Sequence, residues 1–223
     1  MALDVLSSIA FTFGSKPDIV TYNTILQGLF EVGRIVDAKK FFDEMLSTGI
    51  IPILYTHVTL LDGYFKHGLV EKAMSLFNKY ERKREDIGIA FYNVVINGLC
   101  KNGKLDKARA IFEKLSFIGL LLNAKTYNPM ITGFCLQGLF DEAKNMLREM
   151  EGNNCFPNSV TYNIIVQGLL RCNRISEMAI IMKEMAGRGF SFDANTTELL
   201  INVIRGNPSV LDMIPELHLE NKK

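Results

Sequence analysis

Four asparagines stand where a side-chain amide could do chemistry: Asn23, Asn93, Asn128 and Asn163. Each follows a tyrosine, and successive spacings are 70, 35 and 35 residues. Val58 occupies the skipped place. A carboxamide carries one acceptor and two donors. Near a helix start the ordinary use of such a group is capping. Thr21, Thr126 and Thr161, two residues earlier, already offer caps, which leaves the amides open to another role. Other reactive side chains do not converge. His57, His67 and His218 are scattered, with no nucleophile, base or ligand partner beside them, so no catalytic site is expected. The four cysteines include no C-x-x-C pair, which argues against a metal or disulfide framework. Cys100 and Cys135 share one structural slot and read as small apolar filler of a core helix.

The elements that position the amides follow from one period. "VTYNTILQGLFEVG", Val20 to Gly33, returns as "VTYNIIVQGLLRCN", Val160 to Asn173. Gly28, Gly63, Gly98, Gly133 and Gly168 recur every 35 residues. Gly33, Gly68, Gly103 and Gly138 form a second column, with Asn173 in the fifth place, and Ala38, Ala73, Ala108, Ala143 and Met178 a third. Five units result: 19–53, 54–88, 89–123, 124–158 and 159–193. Within 124–158, Tyr127, Met130, Ile131 and Phe134 recur at helical spacing, and so do Ala143, Met146, Leu147 and Met150. The spacing predicts two helices per unit. Thr126 is expected to cap the first, Pro129 to fall in its first turn, and Gly138 to stop it. The second begins near Asp141. Acids open every second helix, at Asp37, Glu71, Asp106, Asp141 and Glu177, where the helix dipole favours them. A glycine inside each first helix costs ~1 kcal/mol relative to alanine. That cost, repeated five times, predicts close helix packing at that point. Residues 1–18 read as the second helix of a unit whose first helix is absent, and 194–223 as a degenerate unit, a cap and a polar tail. The mid-unit start is what a fragment or truncated product would show.

Bulk composition narrows the class. Basic and acidic residues nearly cancel, 25 against 24, so no strong non-specific attraction to nucleic acid is expected. No apolar run is long enough to span a membrane, and "MALDVLSSIAF" has no basic leader.

The repeated phrases "TYNTILQGLFEVGRIVDAKKFFDEM" and "YNVVINGLCKNGKLDKARAIFEKL" resemble the pentatricopeptide repeat family. Within it they are most similar to the pure-repeat class and the plant restorer-of-fertility-like proteins. The resemblance covers about residues 1–206. The tetratricopeptide rival has a period of ~34 residues and a conserved Trp, whereas this chain contains no Trp. The resemblance implies an all-α, right-handed α-solenoid that binds single-stranded RNA, one base per unit. It implies that the fifth and last residues of each unit read the base from the concave side. Those pairs are Asn23 with Ile53, Val58 with Gly88, Asn93 with Asn123, Asn128 with Asn158, and Asn163 with Asp193. In the family Asn with Asn favours a pyrimidine and Asn with Asp favours U. The last three units then read pyrimidine, pyrimidine, U, in the 5′ to 3′ direction. Ile53, Val58 and Gly88 depart from the pattern and imply little selectivity in the first two units. Second-position residues, implied to pack on the bases, are Val20, Tyr55, Ala90, Lys125 and Val160. Phosphate contacts are implied for Lys66, Lys101 and Arg171, with Glu31 and Leu136 breaking that series.

The resemblance also implies an organellar site of action, mitochondrial or else chloroplast, and a role in processing or stabilising a transcript. Some members carry a deaminase-like domain, whose zinc signature pairs H-x-E with a P-C-x-x-C that this sequence does not contain. No enzyme activity and no cofactor are expected. A protein-binding scaffold, or a remnant with little RNA affinity, is the competing reading, since any helical solenoid can bind proteins.

Overall fold

The computed structural model describes residues 17–82 and 88–213. Most of the expected leading half-unit, and the tail from 214 onward, lie outside the described residues. Among the described residues every regular element is helical. The helices run α1 Ile19–Glu31, α2 Ile35–Ser47, α3 Leu54–Lys66, α4 Val70–Arg82, α5 Gly88–Lys101, α6 Leu105–Phe117, α7 Ala124–Leu136, α8 Phe140–Gly152, α9 Ser159–Arg171, α10 Ile175–Gly187 and α11 Ala194–Gly206. A 3-10 helix, Pro208–Met213, follows. The class is the expected one, an all-α array of helix pairs.

The chain divides into two compact bodies, Met1–Asn102 and Gly103–Lys223. In the first, α3 packs between α1 and α5, α2 lies on α1, and α4 touches α3 and α5. In the second, α9 packs between α7 and α11. There α6 and α8 lie on α7, α10 lies on α9, and the 3-10 helix closes against α10 and α11. Odd-numbered helices therefore form one layer in each body and even-numbered helices the other.

Local chemistry explains the alternation. Between the helices of a pair the backbone turns through positive φ at Gly33 (+74°), Gly68 (+70°), Gly103 (+68°) and Gly138 (+72°). Asn173 takes the same turn at φ 54°, which asparagine tolerates better than other side chains. The predicted acids occupy the first turns of α2, α4, α6, α8 and α10.

The columns become the core. Ala38, Ala73, Ala108, Ala143 and Met178 have no exposed surface. The tyrosine column lies against second-helix rings, with centroids 5.0 Å apart for Tyr22 and Phe41 and 5.2 Å for Phe112 and Tyr127. Two buried tyrosines keep partners for their hydroxyls: Tyr127 accepts from Asn153 Nδ2 at 2.7 Å and Tyr162 donates to Glu184 at 2.6 Å. His57, in the tyrosine place, bonds Tyr80. Three interior glycines, Gly63, Gly98 and Gly168, are holes for knobs from the preceding unit. A Cβ on Gly63 would lie 2.3 Å from the Phe30 ring, and one on Gly98 2.2 Å from the Phe65 ring. On Gly168 it would lie 2.6 Å from Cys135 Cβ. Cys135 and Cys100 are buried, as core filler should be, and desolvation pushes both thiols up to about 12.

Two local expectations are corrected. Thr126 does not cap α7; the cap is Asn123, and Thr126 is the third helical residue, just as Asp18 and Asn158, not Thr21 and Thr161, cap α1 and α9. The helix therefore starts earlier than expected. That places Pro129 at its sixth residue, inside the helix and not in the first turn. There it removes one i→i−4 hydrogen bond, to the Lys125 carbonyl.

Candidate functional site

In the units 19–53, 89–123, 124–158 and 159–193 the last residue is the N-cap of the next first helix. Asn123 Oδ1 accepts from Lys125 N at 2.9 Å, Asn158 Oδ1 from Thr161 N at 3.1 Å and Asp193 Oδ1 from Thr196 N at 2.7 Å. Asp18 caps α1 in the same way, at 2.9 Å from Thr21 N. Each cap of this kind stabilises by ~1 kcal/mol. The threonines return a bond: Asn158 N donates to Thr161 Oγ1 at 3.3 Å and Ile53 N to Thr56 Oγ1 at 3.2 Å. Such reciprocal caps pin both the loop and the helix start. Ile53 has no side-chain acceptor, so its cap is the return bond alone.

Two of the paired columns meet. In the unit 159–193, Asn163 Oδ1 accepts from the backbone N of Asp193 at 3.0 Å. Its Nδ2 donates to Ser159 O at 2.8 Å and to Ser191 O at 3.2 Å. Asn163 is only 2% exposed, whereas the Asp193 side chain is open to solvent. In the unit 124–158, the Thr161 hydroxyl lies 2.9 Å from Asn128 Oδ1 and 3.2 Å from Asn158 Oδ1, which ties the pair through one group. Asn128 is half-buried and Asn158 exposed. Asn23 is not joined to Ile53: its Oδ1 is buried without a hydrogen-bond partner, as is Asn93 Oδ1. Native proteins leave few buried polar atoms in that state. Val58 is half-buried and offers no polar atom.

The second-position residues form an exposed column. Val20, Tyr55 and Val160 are 65%, 53% and 57% exposed, and Ala90 and Lys125 are exposed as well. The Tyr55 hydroxyl donates to Gln27 Oε1 at 3.2 Å. Lys66, Lys101 and Arg171 lie in the last turns of α3, α5 and α9, all exposed. Lys66 pairs with Asp62 at 2.8 Å, and that hydrogen bond raises the ammonium pKa.

Sequence reasoning missed the ninth residue of the unit. Gln167 Nε2 reaches Thr196 Oγ1 at 2.9 Å and both carboxylate oxygens of Asp193, at 3.2 and 3.3 Å. The signal was available, because both copies of the repeated phrase carry Gln before the interior glycine, at Gln27 and Gln167. Among the described residues no group of three or more His, Cys, Asp or Glu could hold a metal ion. No described helix is long and apolar enough to cross a membrane.

Layered helix pairs at a 35-residue period, with amides and carboxyls gathered at the unit junctions, define a helical-repeat protein. The family model for the PPR repeat family matches residues 17–64, 88–136, 122–171 and 157–204, and a PPR repeat model matches 55–84. The chain belongs to the PPR repeat family. No curated protein matches it in sequence. Solved structures share its fold. The pentatricopeptide repeat protein PPR10 from maize superposes with a TM-score of 0.74 at 24% identity, over 98% of this chain and 32% of that one. PPR10 in complex with an 18-nt psaJ RNA element gives 0.73 at 22%, over 97% and 38%. The PPR domain of Arabidopsis thaliana protein-only RNase P 1, in complex with tRNA, gives 0.60 at 13%, over 84% and 98%. The chain thus spans about a third of the length of the PPR10 chains it matches.

Proposed function

We propose that this chain binds single-stranded RNA, one base per unit, and that its last three units select pyrimidine, pyrimidine and U. The observation that carries the reading is the different hydrogen-bonding character of the two joined pairs. The exposed Asp193 carboxylate presents acceptors only, and the buried Asn163 holds its backbone N while both Asn163 amide hydrogens go to backbone carbonyls of its own unit. An acceptor edge suits a base that offers a ring N–H, as uracil does. Asn128 and Asn158 have their oxygens on Thr161, which turns amide N–H groups outward. Donors suit the acceptors that both pyrimidines carry. Asn93 with Asn123 is assigned the same preference by its residue types. The exposed second-position column supplies surface for the base faces, Tyr55 the largest. Lys66, Lys101 and Arg171 are assigned to phosphates, and only three contacts give a shallow salt dependence. Asn23, beside Ile53, is assigned little selectivity.

The solved neighbours bound to RNA support this reading by analogy of fold. Resemblance to restorer-of-fertility-like proteins extends it to an organellar transcript, mitochondrial before chloroplast, that the protein processes with partners or stabilises by occupying it. The chain acts as a binder and not as an enzyme.

Fluorescence anisotropy with short labelled RNAs at low salt tests the proposal. One set carries a pyrimidine–pyrimidine–U core, the other purines at those places. Preference for the first set is expected, lost in Asn163→Ala and relaxed from U to either pyrimidine in Asp193→Asn. Binding without preference would reduce the chain to an RNA-tracking solenoid. No binding at high protein concentration would favour the protein-scaffold reading.

A further inference from the structure

We infer that Gln167 is a positioning residue that holds the Asp193 carboxylate in one orientation and so sets how strictly the unit 159–193 selects its base. The inference rests on the RNA-binding reading above.

Gln167 lies four residues after Asn163 on α9, which puts the two side chains on one face of the helix. Asp193 is exposed, and a free carboxylate there would sample several rotamers. Three groups restrict it. Its backbone N is held by Asn163 Oδ1 at 3.0 Å. Its Oδ1 takes the Thr196 amide at 2.7 Å. Gln167 Nε2 then approaches both oxygens from the α9 side, at 3.2 and 3.3 Å, while it also meets the Thr196 hydroxyl at 2.9 Å. Cap and clamp come from different helices, so together they fix the plane of the carboxylate and not only its position. A fixed acceptor distinguishes an N–H from a lone pair on the base, whereas a mobile one can turn away from the mismatch.

Two other units lack this arrangement. In the unit 124–158 the ninth residue is Thr132, whose hydroxyl is turned back to Asn128 O at 2.8 Å, and the Asn158 side chain keeps its bonds with Thr161. In the unit 19–53, Gln27 bonds Glu31 and Tyr55, and the last residue, Ile53, has no acceptor to hold. The clamp occurs where the last residue is an acid.

The test uses the full chain and labelled single-stranded RNAs that differ only by U or C at the place read by the unit 159–193. Two variants are measured, Gln167→Leu and Gln167→Thr, the second carrying the residue natural to the preceding unit, in case the first does not fold. The expected result is a U-over-C preference that falls about two- to tenfold, the worth of one hydrogen bond. The preference at the preceding unit and the salt slope stay unchanged. A merely structural role would weaken both RNAs equally and would not move the ratio. A wild-type preference that survives in both variants overturns the inference and leaves the RNA-binding reading standing. A wild-type chain with no preference at that place overturns both.

Discussion

Placing a methyl group on the interior glycines separates the two forces acting on that column. Gly28 and Gly63 have the same place in successive units, yet a Cβ at Gly28 meets nothing within 4 Å, whereas one at Gly63 meets the Phe30 ring at 2.3 Å. Gly28→Ala gains helix propensity, ~1 kcal/mol. Gly63→Ala gains the same amount but overpacks a ring that is 3% exposed and has no open side to move into. An ordinary carbon contact is ~3.5–4.0 Å, so the ring or the helix must shift by more than ~1 Å. Overpacking of that kind costs ~1–3 kcal/mol. The contrast between the two variants is therefore ~1–3 kcal/mol, with Gly28→Ala more stable than the parent and Gly63→Ala equal to it or less stable. In a chain of this size that corresponds to ~2–12 °C between their melting midpoints. Circular dichroism at the helical band, followed on heating and in urea, reads it directly. Equal shifts of the same sign in both variants would refute the knob-in-hole account of the column.

Further predictions concern the buried polar groups and thiols. Tyr162→Phe removes the donor to Glu184 at 2.6 Å and is expected to lower stability by ~1 kcal/mol, read as a drop in urea midpoint. Burial keeps the Cys100 and Cys135 thiols protonated up to about 12, whereas unfolded thiols ionise near 9. Raised folded values mean stability that is complete below pH ~9 and lost as pH rises from there towards ~12. The urea midpoint should fall across that window, and less steeply in a Cys100→Ala, Cys135→Ala double variant. With a thiol reagent at neutral pH, exposed Cys172 should react at once, half-buried Cys155 more slowly, and Cys100 and Cys135 only on unfolding. Asn163→Ala strips the acceptor from the part-buried Asp193 N and one of two donors from Ser191 O and should cost ~1–3 kcal/mol, against ~1 kcal/mol for loss of the Asp193 cap in Asp193→Ala. Chemical denaturation of the two variants side by side checks the order.

The amino-acid sequence by itself determined the period, the helix pairs, the positive-φ turns and most of the core. All of these rest on interactions within a few residues, or on apolar periodicity that any neighbour of the right shape satisfies. The tyrosine, alanine and glycine columns were legible for that reason, and so was the identity of the Asn and Asp columns. The partners of the amides were not legible. Asn163 bonds Ser191 O and Asp193 N across the length of a unit, and Gln167 holds a carboxylate at the start of the next helix. Asn128 meets Thr161, a residue that looked like a cap for its own helix. Thr126 and Pro129 were misplaced for a related reason: the cap belongs to the preceding unit, so the helix starts before its own first threonine. Only the tertiary structure decided these matters, because a hydrogen bond depends on the direction of one side chain relative to a backbone from another element. A repeat period places that residue on a helix face but leaves open which lone pair or N–H it turns outward.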